Sequence, residues 1–462
     1  MTEKYRTEHD SLGEVRVPES AYWGAQTQRA ADNFAVSGLR IHPAMIEALA
    51  AIKECAALVN GDLDLIPPDT AEGIQQACRE IREGSLRDQF PVDVFQTGSG
   101  TSWNMNINEV TARRAGEIIG RADIHPNDHV NRSQSSNDVI PSALSISARV
   151  KSADLIAALE QLKLILEKKA EQFTGVIKLG RTHLQDAVPM TGKDEFSGWA
   201  HQVYKSVKRV ESALPDLEEL PLGGTAVGTG LNGHPDFGRM VCRKLAERTG
   251  HPFRQAGNLF AGISARDPHL FLMGALNSTA AVLTKIAQDF RLLASGPRGG
   301  FGELILPALQ PGSSIMPGKV NPVIPEMVIQ AAAFVSGKYY SVTTACKNGP
   351  LQLNIMLPLI SHEILTSLDL LTATARRFTE TCAAGAEYDR ERCRETVEKS
   401  LALVTPLALR IGYDAAAKTA LRAYREGKTL REIIAEEGLL SEEEAGEVLD
   451  PRNMLGEPDQ YP

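Results

Sequence analysis

Residues 142–174 read SALSISARVKSADLIAALEQLKLILEKKAEQFT, 33 positions without a glycine or a proline. Within them Leu155, Leu159, Leu162, Leu166 and Phe173 return at steps of four, three, four and seven residues. That spacing puts one apolar stripe along a helix of roughly 50 Å, at about 1.5 Å per residue. A second such stretch, Ala275 to Ser295, lies between Gly274 and Gly296. Its stripe is Leu276, Ala280, Leu283, Ala287 and Phe290, with small residues that let helices approach closely. The pattern predicts three more long helices, at about Glu195–Leu214, Glu326–Lys347 and Leu351–Ala384, the last kinked at Pro358. Strand-like alternation is rare. The chain therefore reads as mainly α, with an elongated central five-helix bundle between two smaller, mostly helical domains. The boundaries fall at 1–134 for the N-terminal domain, 135–388 for the bundle and 389–462 for the C-terminal domain. In the last of these, Thr429-x-x-Glu432 and Ser441-x-x-Glu444 are capping boxes that mark helix starts.

The 462 residues are 43% hydrophobic and 23% charged, which excludes a disordered chain, a collagen or a small disulfide scaffold. The net charge of −9 gives no overall field for phosphate backbones or anionic lipid, so nucleic-acid and membrane partners are not expected. An anionic ligand has to be captured by local groups. The six cysteines form no C-x-x-C pair and read as buried free thiols in a reducing compartment. The polar start MTEKYRTEHD has no signal-peptide character, and no run reaches the ~18–20 apolar residues of a membrane span. The expectation is a cytoplasmic protein.

Four polar, glycine-punctuated segments interrupt the helices and carry the chemistry. In Thr97-Gly98-Ser99-Gly100-Thr101-Ser102 the glycines free the backbone, and the hydroxyls offer donors that suit a carboxylate. An ordinary loop with an N-cap at Thr101 or Ser102 is the commoner reading of such a segment. In the second segment His125 and His129 stand four apart, but Pro126 replaces the glutamate of H-E-x-x-H and disfavours a helix there, so a zinc site is rejected. Ser135-Ser136-Asn137 follows, where a helix start can be capped or can hold an anion. The third segment holds Arg181, Thr182 and His183; a histidine suits proton transfer near neutral pH. The fourth, Gly312-Ser-Ser-Ile-Met-Pro-Gly-Lys-Val-Asn-Pro322, fails the P-loop pattern because Val320 follows the lysine. Its glycines and prolines describe a mobile loop with fixed ends, a lid over a ligand.

Together these segments resemble the signature regions of the fumarase/aspartase superfamily over essentially the whole chain, and GSSIMPGKVNP is the most specific of them. Gly223–Asn232 is a further family-like stretch. TGSGT at 97–101, HPNDHVN at 125–131 and SSND at 135–138 resemble class II fumarases, whereas VNPVIPE at 320–326 and LQDAVPM at 184–190 look as much like aspartases. The resemblance implies a lyase that reversibly hydrates fumarate to (S)-malate through an aci-carboxylate intermediate, with a small dicarboxylate as its partner and no metal or organic cofactor. An aspartate ammonia-lyase on the same scaffold is the competing reading. A non-catalytic helical bundle is a third, opposed by the intact Ser313, His183, Lys319 and Asn321.

By the same resemblance, Ser313 is the base and His183, oriented by Glu326, handles the departing water. Ser99, Gly100, Thr101, Ser135, Ser136, Asn137, Thr182, Ser314, Lys319, Val320 and Asn321 bind substrate. A second anion site comprises His125, Pro126, Asn127 and Asp128; its usual arginine aligns with Ala122, one position from Arg121. Thr191-Gly192-Lys193-Asp194-Glu195 departs from the usual LGQE at a helix start. The superfamily also implies a homotetramer with sites shared between subunits. The spacing agrees: rigid helices of 20 or more residues keep their ends ~30 Å apart, so one subunit cannot easily gather all four segments.

Overall fold

The structure, a computed structural model, describes residues 4–455. Among them, β-structure is confined to four two-stranded sheets and an isolated bridge. The long helices are Ser136–Gln172, Gly192–Leu217, Asp267–Leu293, Val323–Cys346 and Leu357–Thr381. The chain divides into two compact units, and the division falls inside all five of these helices.

The first unit comprises Met1–Ala157, Lys208–Ala280 and Ala332–Thr372. Helix Pro43–Asp62 runs through its core, with 14 of its 20 residues buried. Alanine-rich all round, it can touch neighbours on every side; it packs on helices Pro68–Arg82 and Phe237–Thr249. Helix Thr101–Ile119 covers Pro68–Arg82 and contributes the buried Trp103.

The second unit comprises Ala158–Val207, Ala281–Ala331 and Ala373–Pro462. Its centre is an aromatic cluster of Phe173, Phe196, Trp199, Phe290, Phe378 and Tyr388, with ring centroids 4.7–5.8 Å apart and mostly edge-to-face. A smaller core joins Leu403, Leu407, Ile433, Ile434 and Leu449 to Leu179. Both capping boxes, at Thr429 and Ser441, form as the sequence predicts.

The two apolar stripes are buried, each of the ten residues no more than 1% exposed. Four details differ from the sequence reading, the first being Gly274, which lies inside helix Asp267–Leu293 and does not precede its start. The last long helix begins at Leu357, after turns in which Leu351 has a φ of +57°. Pro358 thus stands in the first turn, where its missing N–H removes no intrahelical bond and produces no kink. The first long helix starts at Ser136 and contains Pro141. Helix Asp267–Leu293 is, among the described residues, long and apolar enough by composition to cross a membrane, although its stripe faces protein.

The unusual TGKDE start is resolved as well. Helix Gly192–Leu217 is capped by Thr191, whose Oγ1 accepts the Asp194 N–H at 3.1 Å. Asp194 accepts the Thr191 N–H at 2.8 Å in return. A Thr/Asp box does the work of the familiar sequence.

Candidate active site

In the first unit, helix Thr101–Ile119 starts at Thr101 with Gly100 as its N-cap, and no side chain caps it. The Thr101 hydroxyl is therefore not spent on the helix end, as the loop-and-cap reading has it. It lies 2.8 Å from Ser99 Oγ and 2.9 Å from Ser136 Oγ, a chain of three hydroxyls. The glycines are obligatory for this arrangement. A Cβ on Gly98 would stand 1.8 Å from the Ile355 carbonyl oxygen, and Gly100 has a φ of +72°.

The side chains of Ser135 and Asp138 both accept backbone N–H groups at the start of the next helix. Asp138 accepts the Ser135 N–H at 2.9 Å, and Ser135 Oγ accepts the Asn137 N–H at 3.3 Å. The other Asp138 oxygen accepts the N–H groups of Gly223 (3.1 Å) and Thr225 (3.0 Å). Asn137 donates to the Ala226 carbonyl at 2.8 Å. The Gly223–Asn232 stretch is thus the seat of the Ser135–Asn137 turn. Burial pushes the Asp138 carboxyl up to about 6, against the three N–H groups that favour its charge.

Pro126–Val130 forms one π-helical turn in the same unit. His125 Nδ1 accepts the Asp128 N–H at 3.1 Å, and His129 Nδ1 accepts the His125 N–H at 2.8 Å. His125, Pro126 and Asn127 line a cleft of about 890 Å³; Asp128 is exposed. Arg121, beside Ala122, is held by Asp69 (2.8 Å) and Asp123 (2.7 Å).

In the second unit, strands Ile177–Thr182 and Gln185–Thr191 form a hairpin whose two-residue turn is His183-Leu184. Both turn residues have positive φ, 55° and 60°, the requirement of a type I′ turn that glycine or asparagine usually meets. At this hairpin tip Thr182, His183 and Leu184 are all exposed. A buried ion network anchors the strand below it. Glu303 takes both Arg181 Nη1 (3.0 Å) and Nη2 (2.5 Å), and Lys178 reaches Glu195 at 3.1 Å and Glu303 at 3.4 Å.

The fourth segment closes on itself. Gly312 N–H donates to the Lys319 carbonyl and Asn321 Nδ2 donates to the Gly312 carbonyl, both at 2.7 Å. Ser313 Oγ accepts the N–H groups of Ile315 (3.2 Å) and Met316 (3.0 Å). Two donors aimed at a serine oxygen stabilise negative charge on it. Ser314, Lys319 and Val320 are exposed, and Lys319 has no ion-pair partner among the described residues. Glu326 lies in the first turn of helix Val323–Cys346. Among the described residues its carboxylate accepts no hydrogen bond, and the His183 imidazole makes none.

The lyase family signature matches residues 13–337, and that of the fumarase C C-terminus matches 403–456. A class II fumarate hydratase from Thermosynechococcus vestitus is 48% identical over 99% of both chains, and one from Halobacterium salinarum is 50% identical over 98% of both. The crystal structure of a class II fumarase from Schistosoma mansoni superposes with a TM-score of 0.94 at 40% identity, covering 98% of this chain and 99% of that one. The chain belongs to the class II fumarate hydratase family.

Two groups of residues in this class II fumarate hydratase family member escaped the sequence reading. Lys53 and Glu54 are adjacent charges inside the apolar run Ala48–Ala57, and both are fully buried. A charge pair in the middle of such a run is a usable signal. Lys178 and Glu303 gave no such signal, because nothing in either local stretch announces burial.

Proposed function

We propose that this chain catalyses the reversible hydration of fumarate to (S)-malate. In the dehydration direction a base removes a proton beside one carboxylate, whose electrons gather as an aci-carboxylate. The C–O bond on the neighbouring carbon then breaks, and the hydroxyl leaves as water with a proton from an acid. Fixed donors around the carboxylate that gains charge supply the largest stabilising term. The observation that carries this reading is Ser313 Oγ, held by two backbone N–H groups in the same closed loop as Lys319 and Asn321. Ser313 acts as the base and Lys319, Asn321 and Ser314 hold that carboxylate, with the Val320 backbone between them. Ser99, Gly100, Thr101, Ser135, Ser136, Asn137 and Thr182 receive the other carboxylate and the hydroxyl. His183 and Glu326 act on water.

The same proposal includes a homotetramer in the cytoplasm, with the 1–134, 135–388 and 389–462 division and a second anion site at His125–Asp128. Phe271, Phe334 and Tyr340 support the assembly: they stand 52%, 54% and 76% exposed on long helices, where a second copy can cover them. The deciding experiment incubates purified protein with malate and, separately, aspartate while fumarate absorbance is followed. Fumarate from malate alone is expected; fumarate from aspartate alone assigns the ammonia-lyase instead.

A further inference from the structure

Lys53 has no exposed surface, and burial brings its amine down to about 7. Its hydrogen-bond partners are neutral: Nζ donates to Asn131 Oδ1 at 2.9 Å and to Gln134 Oε1 at 3.0 Å. The charged or titratable groups that act on it are Asp138, already committed to three backbone N–H groups, and the Cys78 thiol. An ammonium taken out of water without a carboxylate against it is costly, and an apolar side chain of equal length fills the same space more cheaply. Packing therefore does not explain a lysine here.

What the lysine holds does explain it. Asn131 Oδ1 also accepts Asn104 Nδ2 at 3.2 Å, and Asn104 lies one turn after Thr101 on the same helix. Gln134 donates to the carbonyls of Val130 and Arg132 and immediately precedes Ser135. Between them Ser133 has a φ of +63°, rare for a residue with a side chain. Asn60, from the helix that carries Lys53, clamps the same turn: it donates to Arg132 O at 3.0 Å and accepts Ser133 Oγ at 3.1 Å. One Nζ group thus ties together the two sides of the Thr101–Ser136 hydroxyl pair, across a strained turn.

We propose that Lys53 is a positioning residue whose buried Nζ donors fix the 131–134 turn, so that Thr101, Ser135 and Ser136 converge on one carboxylate of the substrate. The inference rests on reading those three as carboxylate ligands. The test uses full-length Lys53→Met, which keeps the stem and removes the two hydrogen bonds. Melting temperature, kcat and KM for malate and fumarate, and Ki for the unreactive dicarboxylate succinate are measured. The expected result is KM and Ki raised about tenfold and kcat reduced by less than that, whatever the melting temperature of the folded variant. A lower melting temperature with unchanged KM and Ki makes the residue merely structural and overturns the proposal, as does a fall in kcat alone. If Lys53→Met does not fold, Gln134→Met decides: a KM and Ki raised about threefold support the role, and unchanged values overturn it. Thr101→Ala and Ser136→Ala separate the two ideas. If these leave succinate binding unchanged, the carboxylate-ligand reading fails; if they weaken it while Lys53→Met does not, the lysine proposal fails alone.

Discussion

The Asp138 carboxylate accepts the Thr225 N–H at 3.0 Å, and through it a glycine-rich stretch 85 or more residues away becomes the seat of a helix start. Asp138 has no exposed surface. Asp138→Ala strands three buried N–H donors, each worth about 1–3 kcal/mol, and should lower unfolding free energy by at least about 3 kcal/mol. Asp138→Asn keeps an oxygen for Gly223 and Thr225 but turns an NH₂ toward the Ser135 N–H, so about 1–2 kcal/mol is expected. Urea melts distinguish the two. The folded value of Asp138, near 6, exceeds the ordinary 3.8, so the contribution is full below about 3.8 and is lost as pH rises through 6. The stability gap between wild type and Asp138→Asn should narrow over that window.

Lys53 titrates in the opposite sense. Its folded value near 7 lies below the ordinary 10.5, so the unfolded chain holds the extra proton between them and wild-type stability rises with pH there. Lys53→Met removes that dependence. Its stability relative to wild type should be greatest below pH 7 and shrink as pH climbs toward 10.5, which melts at pH 6, 8 and 9.5 measure.

The hairpin tip stores strain that can be released without touching the imidazole. Leu184 has a φ of +60° and is 61% exposed, so its side chain contributes little packing in exchange. Leu184→Asn should raise stability by about 1 kcal/mol, because asparagine tolerates this conformation. An unchanged or lower melting temperature contradicts that account.

Below the tip, Glu303 is the shared anion of Lys178 and Arg181. Burial alone would raise its carboxyl, but the Arg181 hydrogen bonds and the Lys178 charge bring it below the ordinary 4.5. Its stabilisation is therefore present above 4.5 and lost as pH falls below it. Glu303→Gln leaves two cations facing one neutral amide, and a loss of about 3–5 kcal/mol at pH 7 is expected. The gap to wild type should shrink in melts at pH 4.

The architecture was legible because helix periodicity is local. The stripes from Leu155 to Phe173 and from Leu276 to Phe290 needed no knowledge of the partners they bury against. Hydroxyl-rich segments such as Thr97–Ser102 and Ser135–Asn137 were legible for a related reason: a packed helical protein does not need them. Contacts between distant segments were not. Nothing near Asp138 names Gly223, and nothing near Arg181 names Glu303, since those pairings arise only when the chain folds. Pro358 shows the limit of a purely local rule: proline breaks a helix in its interior and starts one at its first turn, and the sequence alone did not fix where that turn begins.

His183 has no hydrogen-bond partner among the described residues, and the Glu326 carboxylate accepts none. Ser313 lies in a loop closed by its own backbone. On the proposed roles, a second copy of the chain supplies the partner that each of these side chains lacks. His183→Ala and Ser313→Ala should each fold and lose kcat by about 10²–10⁴-fold, the usual contribution of a positioned proton-transfer group. Denatured together in equal amounts and refolded, they should regain activity if the two residues of one site come from different subunits. Random assembly places both intact residues in about a quarter of the sites, so recovery should approach about 25% of wild type. Refolded oligomers that stay as inactive as either parent would show instead that His183 and Ser313 serve a site within one subunit.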